Sequence, residues 1–297
     1  MNLPKWYNEY KEFIEHSIEL YLARYLEVPM TRPLEDFKEI IIYGTQWGKR
    51  LRAILALEFY LCLTGKSLND IGHDDDIMKL CIALEIMHAF SLIHDDLPCM
   101  DDDELRRWEL TVWKKYSEYH AVLAGDMMNS LTFELIADIA DPWSSQSIAK
   151  LISRSVWFYG MVGGQVEDMY YGQYPSQLDL DILIWLHGKK TGRLIEASII
   201  AAYILSGETT DREIYGNFGQ KLGLAFQVKD DILDVEGTRE ETGKSVWGET
   251  KGFVYLLWLD ASKEILAREI RECKKIIWPL DSPKMDYLVE FIAERTR

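Results

Sequence analysis

The sequence is short of the residues from which many reaction centres are built. Its four cysteines, Cys62, Cys81, Cys99 and Cys273, include no CxxC pair, and there are only six histidines. That excludes a CxxC metal or redox site and leaves buried free thiols, with Cys99 the one open to oxidation. No GxGxxG follows a strand pattern, and no GxSxG or Cys/His signature offers a nucleophile. Alternating β-branched runs with hairpin turns are absent, as are short-period repeats and any linker rich in Pro, Gly or Ser. No stretch reads as an 18-residue apolar span, and MNLPKWYNEYKEFIEH lacks the basic-then-apolar order of a signal peptide, so a cytosolic protein without a membrane span is expected. Positive charge is scarce too: Lys and Arg number 33 against 49 Asp and Glu, a net charge of -16. A phosphate-backbone binder needs a basic face, which argues against nucleic acid.

What is present is apolar and helical. The 48% hydrophobic fraction supports a large core. Helical periodicity predicts helices over 5–26, 49–63, 77–93, 121–140, 143–170, 180–205, 212–235, 261–273 and 284–295, with Pro29 and Pro33 marking a turn. Residues 77–93 are apolar on nearly every face, as in a helix surrounded by others. The expected fold is all-α: residues 1–297 as one helical bundle with a central cavity.

Two acidic stretches interrupt this pattern, SLIHDDLPCMDDDELRR from Ser91 and QVKDDILDVEG from Gln227. In the second, Asp230, Asp231 and Asp234 are spaced three and four apart and share one helix face. In the first, Pro98 predicts that the helix carrying Asp95 and Asp96 opens into a turn that returns Asp101 or Asp102 towards them; spacing does not choose between these two. Each cluster follows an apolar helix, about 135 residues apart, and the two are expected to face each other across the cavity. Oxygen-only clusters of this kind suit a hard ion such as Mg²⁺. Against the acidic background, basic residues gather at Lys49, Arg50 and Arg52, at Arg106 and Arg107, and at Lys189 and Lys190, as if to collect a small polyanion. Lys49 and Arg52 share a helix face; Arg50 does not, and reads as solvated or structural.

The motifs HDDLPCMDDDELRR and FQVKDDILDVEG resemble the two aspartate-rich motifs of the trans-prenyl diphosphate synthases, with wording most like the bacterial farnesyl diphosphate branch. The likeness runs from about Gly48 to Gly248 and, less firmly, includes the final FIAERTR. It implies a homodimeric, Mg²⁺-dependent enzyme, using up to three ions, that joins isopentenyl diphosphate to allylic diphosphates. It implies one metal site at Asp95, Asp96 and Asp101 or Asp102, and another at Asp230, Asp231 and Asp234. Lys49, Arg52, His88 and Arg107 match positions on the isopentenyl diphosphate. Arg106, Lys190, Thr191, Gln227 and Lys244 match positions on the allylic diphosphate. Phe90, five residues before Asp95, would lie roughly 7 to 8 Å deeper along the helix and floor the pocket, with Ser91 too small to block it; the family associates an aromatic there with short products.

Two departures stand out. The family continues RRGxPT where this chain reads Arg106, Arg107, Trp108, Glu109, Leu110, Thr111, and beyond Lys244 the segment WGETKGFVYLL carries Glu249 and approaches Tyr255 by a shorter path. The rivals are geranyl or geranylgeranyl diphosphate synthesis, a class I terpene cyclase and a non-catalytic subunit. DDILD, in place of a cyclase's Asn/Ser/Glu triad, favours elongation, and intact aspartates speak against a dead subunit. Glu85 and His88 form one Glu-x-x-His pair, but a di-iron bundle needs two.

Overall fold

The computed structural model describes residues 3–27, 31–236 and 252–295. The elements are α1 (Lys5–Tyr25), α2 (Arg32–Gly44), α3 (Leu51–Thr64), α4 (Asp76–Asp95), a two-stranded hairpin β1 (Leu105–Arg106) and β2 (Glu109–Leu110), α5 (Val112–Lys115), α6 (Glu118–Ala137), α7 (Pro142–Val156), α8 (Met161–Gln173), α9 (Leu180–His187), a π-helical turn Gly188–Gly192, α10 (Arg193–Ser206), α11 (Arg212–Glu236), α12 (Phe253–Leu257), α13 (Leu259–Ile277) and α14 (Pro283–Glu294), with short 3₁₀ turns between some of them. They form two compact units. One comprises residues 2–57 and 66–146, the other residues 58–65 and 147–297.

In the first unit, α1 buries Tyr7, Tyr10, Ile14, Ile18 and Tyr21, a three-and-four spacing that lays one stripe against α4. Helix α4 is buried on nearly every side and packs on α6. Contrary to the sequence reading, α4 contains an 18-residue window apolar enough to cross a membrane by length and composition. Yet 72% of that window is buried inside the protein, as in a core helix. The polar residues within that window, Lys79, Glu85, His88, Ser91 and His94, are dispersed among aliphatics and leave the mean hydropathy high. Of the two prolines expected to mark a turn, Pro29 lies outside the described residues and Pro33 sits in the first turn of α2, where a missing N–H costs no hydrogen bond.

The hairpin was not legible in the pattern. Leu105 pairs with Leu110 and Arg106 with Glu109, and the two turn residues, Arg107 and Trp108, have φ of 54° and 72°. A two-residue turn matched to strand twist needs positive φ at both positions, where a side chain is strained. Trp108, 58% exposed, offsets little of this by packing. Trp108→Gly is therefore expected to raise stability by about 0.5–1 kcal/mol, after allowing for the entropy of a glycine in the unfolded chain. A higher urea midpoint at unchanged m-value would report it.

In the second unit, α11 packs between α10 and α13 and buries Tyr215, Phe218, Leu222, Ala225, Val228 and Ile232. Helix α13 turns Ser262, Leu266, Glu269, Cys273 and Ile277 inward. The helix predicted over 143–170 is two: α7 ends at Val156, and the N–H groups of Gly160 and of Gly163, in the first turn of α8, donate to the Trp157 carbonyl. Helix α14 starts at Pro283 with the Ser282 hydroxyl accepting from the Met285 N–H. Burial pushes the Cys62 and Cys273 thiols up to about 12, so both are inert, while Cys99 is exposed.

Candidate active site

Helix α4 ends on Asp95 and is capped by Asp96, since Pro98 cannot continue it. The chain then folds back as expected: the Asp101 N–H donates to the Asp95 carbonyl at 2.9 Å, and the Asp102 N–H to the Leu97 carbonyl at 3.1 Å. Asp102 takes a left-handed φ of 54°. Asp96 is 3% exposed and accepts from the Arg106 guanidinium, Nε at 2.7 Å and Nη2 beside it. Asp103, not singled out in the sequence, also approaches Arg106 Nη2, at 3.6 Å. Burial raises the Asp96 carboxyl above its ordinary value, the Arg106 contact opposes this, and Asp103 and Asp101 add to it. The hairpin thus delivers Arg106 to a carboxylate that ten residues of sequence separate from it.

The basic residues of the same unit converge on His88. Burial comes first, followed by the charges of Arg52, Arg107, Arg106 and Arg50, and together they hold the imidazole well below its usual value of 6.5. Burial also pushes the Arg107 guanidinium down to about 10, helped by Arg106, Arg50 and Arg52 and opposed by Glu85. Crowded positive charge of this kind favours an incoming polyanion. Arg50 is structural: buried with φ of 56°, it donates to Glu15, Glu85 and the Thr45 carbonyl, so the solvated alternative is excluded. Lys49 stands at the entrance to α3, its carbonyl accepting from the Tyr7 hydroxyl at 2.7 Å.

Because the folded protein keeps His88 neutral, the unfolded chain binds the extra proton as pH falls through about 6.5, and stability declines below that value. His88→Gln is expected to flatten the loss of stability between pH 6.5 and 5. Urea midpoints at both pH values measure it; an unchanged slope would mean that the folded imidazole takes up the proton.

Phe90 is buried on α4, its ring centroid 5.0 Å from that of His94, and the Ser91 hydroxyl donates to the His88 carbonyl at 2.9 Å. Ser91 is thus turned onto its own helix.

In the second unit, α11 carries Asp230, Asp231 and Asp234. Asp231, 6% exposed, accepts from the Phe253 N–H at 2.6 Å and from Gln227 Nε2 at 3.4 Å, with His187 Nε2 at 4.0 Å. Gln227 Oε1 accepts in turn from the Thr191 hydroxyl at 3.0 Å. Three predicted residues therefore form one hydrogen-bonded chain. Lys190 Nζ donates to Asp168 at 2.7 Å, and Asp230 is met by Arg295 at 2.7 Å. His187, Phe253 and Arg295 were not foreseen. A lone histidine and phenylalanine on apolar segments carry no local signal, and the resemblance held least firmly over FIAERTR.

Lys190 and Thr191 owe their placement to the π turn, which inserts an extra residue into the helical course between α9 and α10. Two glycines allow it to seat. A Cβ on Gly164 would lie 2.5 Å from the Lys190 nitrogen, and one on Gly223 would lie 2.4 Å from Gly192 Cα. Lys244 lies outside the described residues.

Among the described residues, no three His, Cys, Asp or Glu side chains are gathered closely enough to hold a metal ion. The donor set still fits a hard cation. Both clusters offer carboxylate oxygens, and in each the protein sets a guanidinium against one of them: Arg106 on Asp96 and Arg295 on Asp230.

A model of the polyprenyl synthetase family matches residues 35–260. The farnesyl diphosphate synthase of Bacillus subtilis is 36% identical over 96% of this chain and 95% of its own length. Geranylgeranyl pyrophosphate synthase 4 of Arabidopsis thaliana is 34% identical over 90% of this chain and 73% of its own. Among solved structures, a geranyltransferase of Helicobacter pylori, complexed with magnesium and isoprenyl diphosphate, matches with a TM-score of 0.79 and 30% identity, covering 99% of this chain and 97% of that one.

Proposed function

The chain belongs to the polyprenyl synthetase family, and from this we propose that it is a short-chain trans-prenyltransferase forming farnesyl diphosphate from isopentenyl diphosphate and dimethylallyl, then geranyl, diphosphate. The observation that carries the reading is the paired layout in the first unit. Carboxylates at the end of α4 sit beside an arginine cluster whose charge adds to burial in keeping His88 neutral. Such a site accepts a polyanion accompanied by divalent cations.

Lys49, Arg52, His88 and Arg107 are assigned to the isopentenyl diphosphate. Arg106, Lys190, Thr191, Gln227 and Lys244 are assigned to the allylic diphosphate. Guanidinium groups grip phosphate oxygens through two hydrogen bonds, and the lysines add point charge. The fixed positions of Lys190 against Asp168 and Thr191 against Gln227 support this assignment. Asp95, Asp96, Asp101 or Asp102, and Asp230, Asp231 and Asp234 would hold Mg²⁺, up to three ions. When bound, Mg²⁺ stabilises the charge that builds on the departing diphosphate. The allylic C–O bond breaks with its electron pair going to diphosphate, the double bond of isopentenyl diphosphate supplies the pair for the new C–C bond, and diphosphate accepts the proton that leaves. No protein nucleophile is required.

The proposal takes residues 1–297 as one prenyl synthase domain, supported by a family match that runs through both units. It also takes the enzyme as a homodimer, supported by the exposed apolar stripe Tyr119, Val122, Leu123 and Met127 on α6.

The test is incubation of purified protein with labelled isopentenyl diphosphate and each allylic primer, followed by sizing of the products. A fifteen-carbon product that requires Mg²⁺ is expected; a twenty-carbon product would favour the geranylgeranyl reading, and no elongation with any primer would refute the enzyme. In the same assay Phe90→Ala, which removes a buried ring one and a half turns before Asp95, is expected to shift products beyond fifteen carbons. An unchanged product would make Phe90 a core residue only.

A further inference from the structure

Arg295 follows α14, and its side chain is nearly withdrawn from solvent, 6% exposed. Its Nη2 donates to the Phe226 carbonyl at 2.7 Å and lies 2.7 Å from Asp230 Oδ1, and its guanidinium carbon stands 3.7 Å from the centroid of the Phe226 ring. Nε has no hydrogen-bond partner among the described residues. One arginine thus grips α11 at two positions a turn apart, by carbonyl, ring and carboxylate. Burying a guanidinium is costly unless a carboxylate accompanies it. Asp230, whose side chain is 37% exposed, is that carboxylate, and it shares its helix face with Asp234.

We propose that Arg295 is a built-in counter-cation for the second carboxylate cluster, holding Asp230 in place without metal and setting the cluster's affinity for divalent ions by competing for that carboxylate. The inference rests on the metal-binding role proposed above for Asp230, Asp231 and Asp234. Arg295 is a positioning residue: it acts through Asp230 and touches no reacting atom. Two effects oppose each other. Holding Oδ1 orients the carboxylate, which helps binding. A full positive charge a few ångströms from a divalent ion repels it, and at the effective dielectric of a half-buried site this repulsion outweighs the orientation of one side chain. The first unit has the same arrangement in Arg106 on Asp96, but there the arginine also serves the substrate; Arg295 has no such assignment.

The experiment is a Mn²⁺ titration of the full chain without substrate, with free Mn²⁺ read by electron paramagnetic resonance. Arg295→Gln is expected to tighten binding by about tenfold, while Arg295→Lys, which keeps the charge, stays near wild type. Unchanged or weaker binding in Arg295→Gln overturns the proposal. Should that variant not fold, the wild type still decides: the Arg295 Nε–H resonance, assigned by its loss in Arg295→Lys, shifts as Mg²⁺ is added if the guanidinium yields Asp230, and a stationary resonance overturns the proposal. Asp231→Asn separates this from the underlying reading, because a wild-type protein that binds Mn²⁺ no better than Asp231→Asn removes the metal site itself.

Discussion

Replacing Asp96 by asparagine is expected to lower kcat by about 10²–10³-fold at saturating substrates and Mg²⁺, the scale on which removal of one electrostatic stabiliser acts. The structure makes this change more than a lost charge. Asp96 is 3% exposed and takes both hydrogen bonds of the Arg106 fork. Both bonds end on Oδ1, so an asparagine oxygen can still accept them, but neutrality leaves the guanidinium undercompensated, and a stability loss of about 1–3 kcal/mol accompanies the kinetic one. Asp96→Glu, which restores charge one methylene further out, is expected to recover stability more fully than rate. Steady-state kinetics and urea unfolding on the three proteins check both halves. A kcat within tenfold of wild type would reduce Asp96 to a structural partner of Arg106.

The second large effect is steric. Gly164→Ala and Gly223→Ala would each set a methyl group against backbone, at 2.5 Å from the Lys190 nitrogen and 2.4 Å from Gly192 Cα. No side chain can swing aside to relieve either contact, so the π turn itself must move. A stability loss of about 1–3 kcal/mol is expected. Because Lys190 and Thr191 ride on that turn, KM for geranyl diphosphate is expected to rise by about tenfold or more, given how steeply catalysis depends on placement. Gly216→Ala is the control: its Cβ would meet only Glu196 Oε1 and Ile200 Cδ1, at 3.7 and 3.8 Å. That is ordinary contact, and in a helix interior alanine is favoured over glycine by about 1 kcal/mol. If all three variants behave alike, close packing does not place the π turn.

Much of this layout is legible in the residues. The three-and-four spacing of Asp230, Asp231 and Asp234 is a property of any helix. Pro98 alone predicts that α4 stops and that a later aspartate returns, and the Asp101 N–H closing on the Asp95 carbonyl is that return. Periodicity finds α1, α4 and α11 within a few residues because each buries a coherent stripe. It fails where periodicity is absent. The hairpin is too short to alternate, and its turn uses Arg107 and Trp108 in place of the usual Asn-Gly. The π turn hides inside the single helix read over 180–205, since one inserted residue shifts the register without breaking the helical course.

Counter-charge is the part that local pattern does not contain. Arg106 reads as a phosphate ligand and Arg50 as ambiguous, yet the first clasps Asp96 and the second is buried between Glu15 and Glu85. Taken by itself, the chain determines its helices, the acidic faces on them and the kind of ion and anion those faces suit, because helical period and side-chain chemistry are local properties. Only the tertiary structure decides which cation answers which carboxylate. Arg295 meets Asp230 across 65 positions of chain, and such a pairing follows from which helices pack together and from the cost of leaving a buried charge alone.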